Sequence, residues 1–104
     1  MVRKAFKMQL FEGFEQEYKR RHDEIWPELE ALLRETGISG YSIFLDKETL
    51  TLFGVMEVAD ETAQAGLADH PVMKRWWAYM KDIMVSNPDN SPVSKPLEKV
   101  FHME

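Results

Sequence analysis

The 104-residue chain has no cysteine, which removes disulfides, a thiolate nucleophile and zinc–thiolate sites. Basic residues are the minority: 13 Lys and Arg against 18 Asp and Glu leave a net charge of −5. Surfaces that track phosphates are basic, so nucleic acid is a poor partner. The one basic cluster, Lys19 to Arg21, is short and is followed by Asp23 and Glu24. No apolar run approaches membrane-spanning length. Met1 to Lys4 leads into an alternating pattern rather than the apolar run of a signal peptide. These absences predict a cytoplasmic protein without membrane contact. No glycine-rich phosphate loop is present, and Ser86, Ser91 and Ser94 lie outside any nucleophile-elbow sequence.

What is present reads as one domain over residues 1–104, with room for a modest core. Ala5 to Phe11 alternates Phe6, Met8 and Leu10 with Lys7 and Gln9, which predicts a half-buried strand. Phe14, Ile25, Leu29, Leu32 and Leu33 recur at helical spacing and predict a helical stretch to about Glu35. Pro27 breaks or kinks that stretch between His22 and Pro27, and Gly37 is placed for a left-handed stop. Tyr41–Leu45 and Leu50–Val58 read as strands of a hairpin joined through Asp46–Thr49. Gly54 in the second predicts a bulge or a close approach by a ligand or backbone. Asp60 is a candidate N-cap for a short helix through Ala68. Pro71 opens another helix, with an apolar stripe of Val72, Met73, Trp76, Trp77, Met80, Ile83 and Met84. Asn87–Pro92 reads as a loop and Leu97–Met103 as a last alternating strand.

Strand, helix, strand, strand, helix, strand is the order of an α+β, ferredoxin-like βαββαβ fold, with helices on one face of an antiparallel sheet. The other face is expected to carry Lys7, Gln9, Tyr41 and parts of the third strand. That mixture predicts a homodimer around a ligand cavity.

Tyr18 and His22 lie one turn apart, so their rings should stack on the helix face the leucines use. A titratable ring at a helix break, beside an aromatic hydroxyl and Trp26, suits proton transfer, although a packed histidine has the same spacing. Arg20, Arg21, Asp23 and Glu24 read as a solvated helix face. Neighbouring Trp76 and Trp77 point about 100° apart. One can fill the core while the other lies at an interface or forms an apolar platform for a sugar ring. Tyr18, Tyr41, Asn87 and Asp89 are the candidates to bond sugar hydroxyls. The three histidines sit on separate elements, so no metal site is expected. His22, with neighbouring carboxylates and phenols, suits general acid–base catalysis on a neutral small molecule.

Four separated blocks now combine: Arg3-Lys4-Ala5-Phe6, Tyr18-x-x-Arg21-His22-x-x-Ile25-Trp26-Pro27-Glu28-Leu29, Arg75-Trp76-Trp77 and Asn87-Pro88-Asp89-Asn90-Ser91-Pro92. Together they resemble the L-rhamnose mutarotase family over nearly the whole chain, while residues 60–72 carry no motif of it. The resemblance implies a dimeric α/β barrel that interconverts the anomers of L-rhamnose without a cofactor. It implies His22 as proton donor and Tyr18, Tyr41, Trp76 and Trp77 as substrate-binding residues. A non-catalytic ligand-binding dimer and a cofactor-free monooxygenase of the same fold stand as alternatives.

Overall fold

The period-2 pattern of Phe6 and Met8 becomes β1 (Val2–Gln9) in the computed structural model, which describes residues 1–104. α1 (Glu15–Asp23) and α2 (Pro27–Glu35) follow, then β2 (Ile38–Asp46) and β3 (Thr51–Val58). α3 (Glu61–Ala65) continues as a 3₁₀ turn at Gly66–Asp69, and α4 (Pro71–Met80) leads to β4 (Lys95–Leu97). The strands form one antiparallel four-stranded sheet in the order β2-β3-β1-β4, the ferredoxin-like arrangement. No helix is long and apolar enough to cross a membrane.

The punctuation behaves as its chemistry dictates. Proline at the first position of α2 cannot extend α1, so the chain restarts between Asp23 and Pro27. Gly37 ends α2 with φ +85°, a conformation in which a Cβ would be strained. The Asp60 carboxylate accepts from the Thr62 and Ala63 amides and caps α3. His70 caps α4, its Nδ1 accepting from the Val72 amide at 3.2 Å.

Leu52, Gly54, Met56 and Val58 of β3 face the helices. Register sets Phe6 opposite Gly54, and a side chain at Gly54 would collide with the Phe6 ring. The close approach expected at Gly54 is therefore made by a side chain from the neighbouring strand. The ring lies edge-on to Tyr41, 6.1 Å between centroids.

That contact corrects the expected face of Tyr41. β2 carries one extra residue against β3 between Ser39 and Ser42, and Gly40 there has φ +55°. An inserted residue changes the parity of a strand. Ile38, Ile43 and Leu45 all pack against the core, and Tyr41 turns to the helix side with them. The open sheet face instead carries Phe44, Phe53, Val55 and Leu97 among Lys7, Gln9 and Lys95. Phe44 is 62% exposed.

The last strand is also shorter than the alternation suggests. β4 pairs only opposite Ala5–Lys7, and residues 98–104 form no strand. Alternation signals a strand when one face is buried. Here Val100 on one side and Phe101 and Met103 on the other are all at least 78% exposed.

Candidate active site

α1 presents its Tyr18–His22 pair to the sheet because the helix is clamped at its outer edge. Arg21, expected on a solvated face, is only 8% exposed. Its guanidinium donates to Glu17 at 2.7 Å, to the Tyr79 carbonyl at 2.7 Å and to Asp82 at 2.9 Å. It also lies over the Tyr79 ring, 4.3 Å from the centroid. Hydrogen bonds from Arg20 and Arg21 hold the Glu17 carboxyl well below the usual carboxylate range, at about 2. The clamp fixes α1 against the end of α4, which carries the paired tryptophans.

The Tyr18 and His22 rings stack as their spacing predicts, 4.3 Å between centroids and 29° apart. Trp76 meets the imidazole edge-on at 5.4 Å and 89°. His22 is thus fixed on two sides. Its Nδ1 lies 3.0 Å from the Tyr18 carbonyl oxygen. A carbonyl only accepts, so Nδ1 carries the hydrogen and the lone pair of the neutral ring is on Nε2. Burial lowers the His22 pKa, while the Tyr18 carbonyl and the Asp23 charge act the other way. The ring is consequently neutral at pH 7.

His22, Tyr18, Tyr41, Trp76 and Trp77 border one inner cavity of about 80 Å³. The same five residues also line a broad groove beside it. Ligand pockets measure about 300 Å³ or more, so a sugar seated here extends into the groove. Trp76, 6% exposed, is a core residue that also abuts Trp26 at 5.1 Å. Trp77 is half-buried. Burial raises the Tyr18 phenol above its ordinary range, with Tyr41 adding to the rise, and pushes the Tyr41 phenol up to about 12. Although Tyr41 as a residue is 39% exposed, its hydroxyl end lies in the crowded interior of the cleft. Both phenols stay protonated at neutral pH and serve as hydrogen-bond donors.

Asn87 and Asp89 lie apart from this cavity and hold their own loop together. The Asn87 amide donates to Ser91 Oγ at 3.1 Å, and the Asp89 carboxylate accepts from the Ser91 amide at 3.0 Å. Met73, Ser86 and Asn90 do border the cavity and were not singled out by sequence. Asn90 carried a signal, as one of four acceptor side chains in the same loop. His22, His70 and His102 are dispersed, and no three His, Asp or Glu side chains converge.

Residues 3–103 match the family model described as L-rhamnose mutarotase. The chain is 62% identical to the L-rhamnose mutarotase of Brucella anthropi over 101 residues, covering 97% of this chain and 95% of that one. It is 55% identical over 104 residues to that of Lachnoclostridium phytofermentans, covering all of both chains. The crystal structure of an L-rhamnose mutarotase from Formosa agariphila superposes with a TM-score of 0.93 at 54% identity, again over the full length of both.

Proposed function

We propose that His22 is the acid–base group with which this chain, which belongs to the L-rhamnose mutarotase family, interconverts the α and β anomers of L-rhamnose. The reaction is an isomerisation, and family membership displaces the non-catalytic and monooxygenase alternatives. One observation carries the assignment: His22, whose Nδ1 is committed to the Tyr18 carbonyl and whose Nε2 is therefore left free, borders the same cavity as Tyr18 and Tyr41.

Opening the hemiacetal removes the proton of the anomeric hydroxyl and adds one to the ring oxygen. Neutral His22 takes the anomeric proton at Nε2. The phenols hydrogen-bond the sugar oxygens and keep their own protons, and the imidazolium passes the proton it has taken to the ring oxygen. After rotation about the C1–C2 bond, closure on the other carbonyl face reverses the transfers, and imidazolium returns its proton. Only protons move, so the scheme needs no cofactor. Trp77 supplies the apolar wall for the C–H face of the ring, and Trp76 holds the imidazole. Saturation transfer between the α and β signals of L-rhamnose tests this directly. Added protein should speed exchange at equilibrium, and an unchanged rate would refute the reading.

The open sheet face is assigned to a second copy of the chain. Phe44 and Phe53 face each other in register, and Val55, Ala5 and Leu97 continue the apolar area across three strands. Left in water, such a patch is costly. Sedimentation equilibrium at micromolar concentration should give a dimer, and Phe44→Glu should shift it toward the monomer. A parent that sediments only as the 12.2 kDa species would contradict the assignment.

A further inference from the structure

We propose that Asn90 is a substrate-binding residue whose side-chain amide holds hydroxyls of the pyranose. The proposal rests on the reading of the cavity as the sugar site. Asn90 borders that cavity with Tyr18, His22, Tyr41 and Trp77. Most of the remaining lining is apolar: Met8, Ile43, Met73, Trp76, Met80, Met84. Ser86 also borders it, but its hydroxyl donates to the Met84 carbonyl at 3.1 Å. A pyranose has ring hydroxyls beyond the anomeric one, and these need polar partners once water is displaced.

The backbone at Asn90 has φ +74°, one of two left-handed non-glycine residues in the chain. Such a conformation is strained for a residue with a side chain and persists where the surroundings impose it. Here the loop does so. The Asn90 amide N–H donates to the Asn87 carbonyl at 2.9 Å, and the Asn87 N–H donates to the Ser91 carbonyl at 2.7 Å. The side chains of Asn87, Asp89 and Ser91 all bond within the loop. The side chain of Asn90 makes no such bond. Glycine adopts this backbone with least strain. An asparagine here brings to the cavity lining an amide whose donor and acceptor share one carbon, matching neighbouring hydroxyls that each donate and accept.

The bland explanation is that asparagine tolerates the left-handed turn, and Asn90→Gly separates the two. It keeps the backbone and removes only the amide. Exchange measured over a range of L-rhamnose concentrations should show KM raised about 3–30-fold, kcat within about threefold, and a melting temperature at or above the parent's. Asn90→Asp, which keeps the shape and loses the donors, should also raise KM. Parental KM in Asn90→Gly, or a melting temperature below the parent's, would overturn the proposal. His22→Gln measured in parallel distinguishes the two levels. If it loses exchange while Asn90→Gly is parental, the site stands and the role of Asn90 falls. If both are parental, the reading of the cavity itself falls.

Discussion

His22→Gln should slow anomer exchange about 10²–10⁴-fold while leaving the fold and the affinity for L-rhamnose close to the parent's. Glutamine keeps similar bulk between the Tyr18 ring and Trp76, and its amide can still donate to the Tyr18 carbonyl that now receives Nδ1–H. Lost packing therefore cannot imitate lost chemistry. The remaining histidines are controls of known structural role. His70 caps α4 and His102 Nδ1 lies 3.2 Å from Arg3. His70→Asn preserves an acceptor at the cap, and with His102→Gln it should retain near-parental exchange. A His22→Gln protein that binds rhamnose and exchanges anomers at the parental rate would reduce His22 to a packed residue.

Trp76→Ala should cost about 3–5 kcal/mol of stability. The indole is 6% exposed and abuts Trp26, Tyr79 and His22 with centroids 5.1, 5.7 and 5.4 Å away. A domain of this size has roughly 5–15 kcal/mol in total. The melting temperature should then fall by more than about 12 °C. Trp76→Phe keeps most of the core but not the edge contact with the imidazole, so exchange should suffer more than stability. Half-buried Trp77 should behave in the opposite way. Its alanine variant should melt near the parent and bind rhamnose poorly. Thermal melts in which both alanine variants lose equal stability would contradict this division of roles.

The sequence makes the elements and much of the candidate site legible because those signals are local. Tyr18 and His22 are one helical turn apart, Pro27 and Gly37 end helices by their own stereochemistry, and Asp60 caps from its own position. The errors arise where a residue's setting depends on distant chain. Tyr41 alternates with Ile43 and Leu45, and which face those three share is decided only when the helices pack on it. The residue inserted near Gly40, for which simple alternation has no mark, brings Ile38 to that face as well. Arg21 resembles any surface arginine until α1 meets acceptors 58 and 61 residues further along. Asn87, Asp89 and Asn90 are chemically alike as a string. Backbone conformation and loop hydrogen bonds divide them, leaving Asn90 beside the cavity. Leu97–Met103 has a strand's periodicity, but no layer covers it beyond Leu97.

The central claim is that neutral His22, with its lone pair on Nε2, is the working acid–base group. Its most direct test is the pH dependence of enzymatic exchange, with the spontaneous rate subtracted at each pH. Burial lowers the His22 pKa, so the neutral base predominates at pH 7 and is lost as pH falls through that lowered value. The rate should be level through neutrality and decline with a single inflection below the ordinary imidazole value of about 6.5. His22→Gln should lack that inflection. A parental profile that rises on acidification through pH 6.5, or an inflection that survives in His22→Gln, would contradict the account.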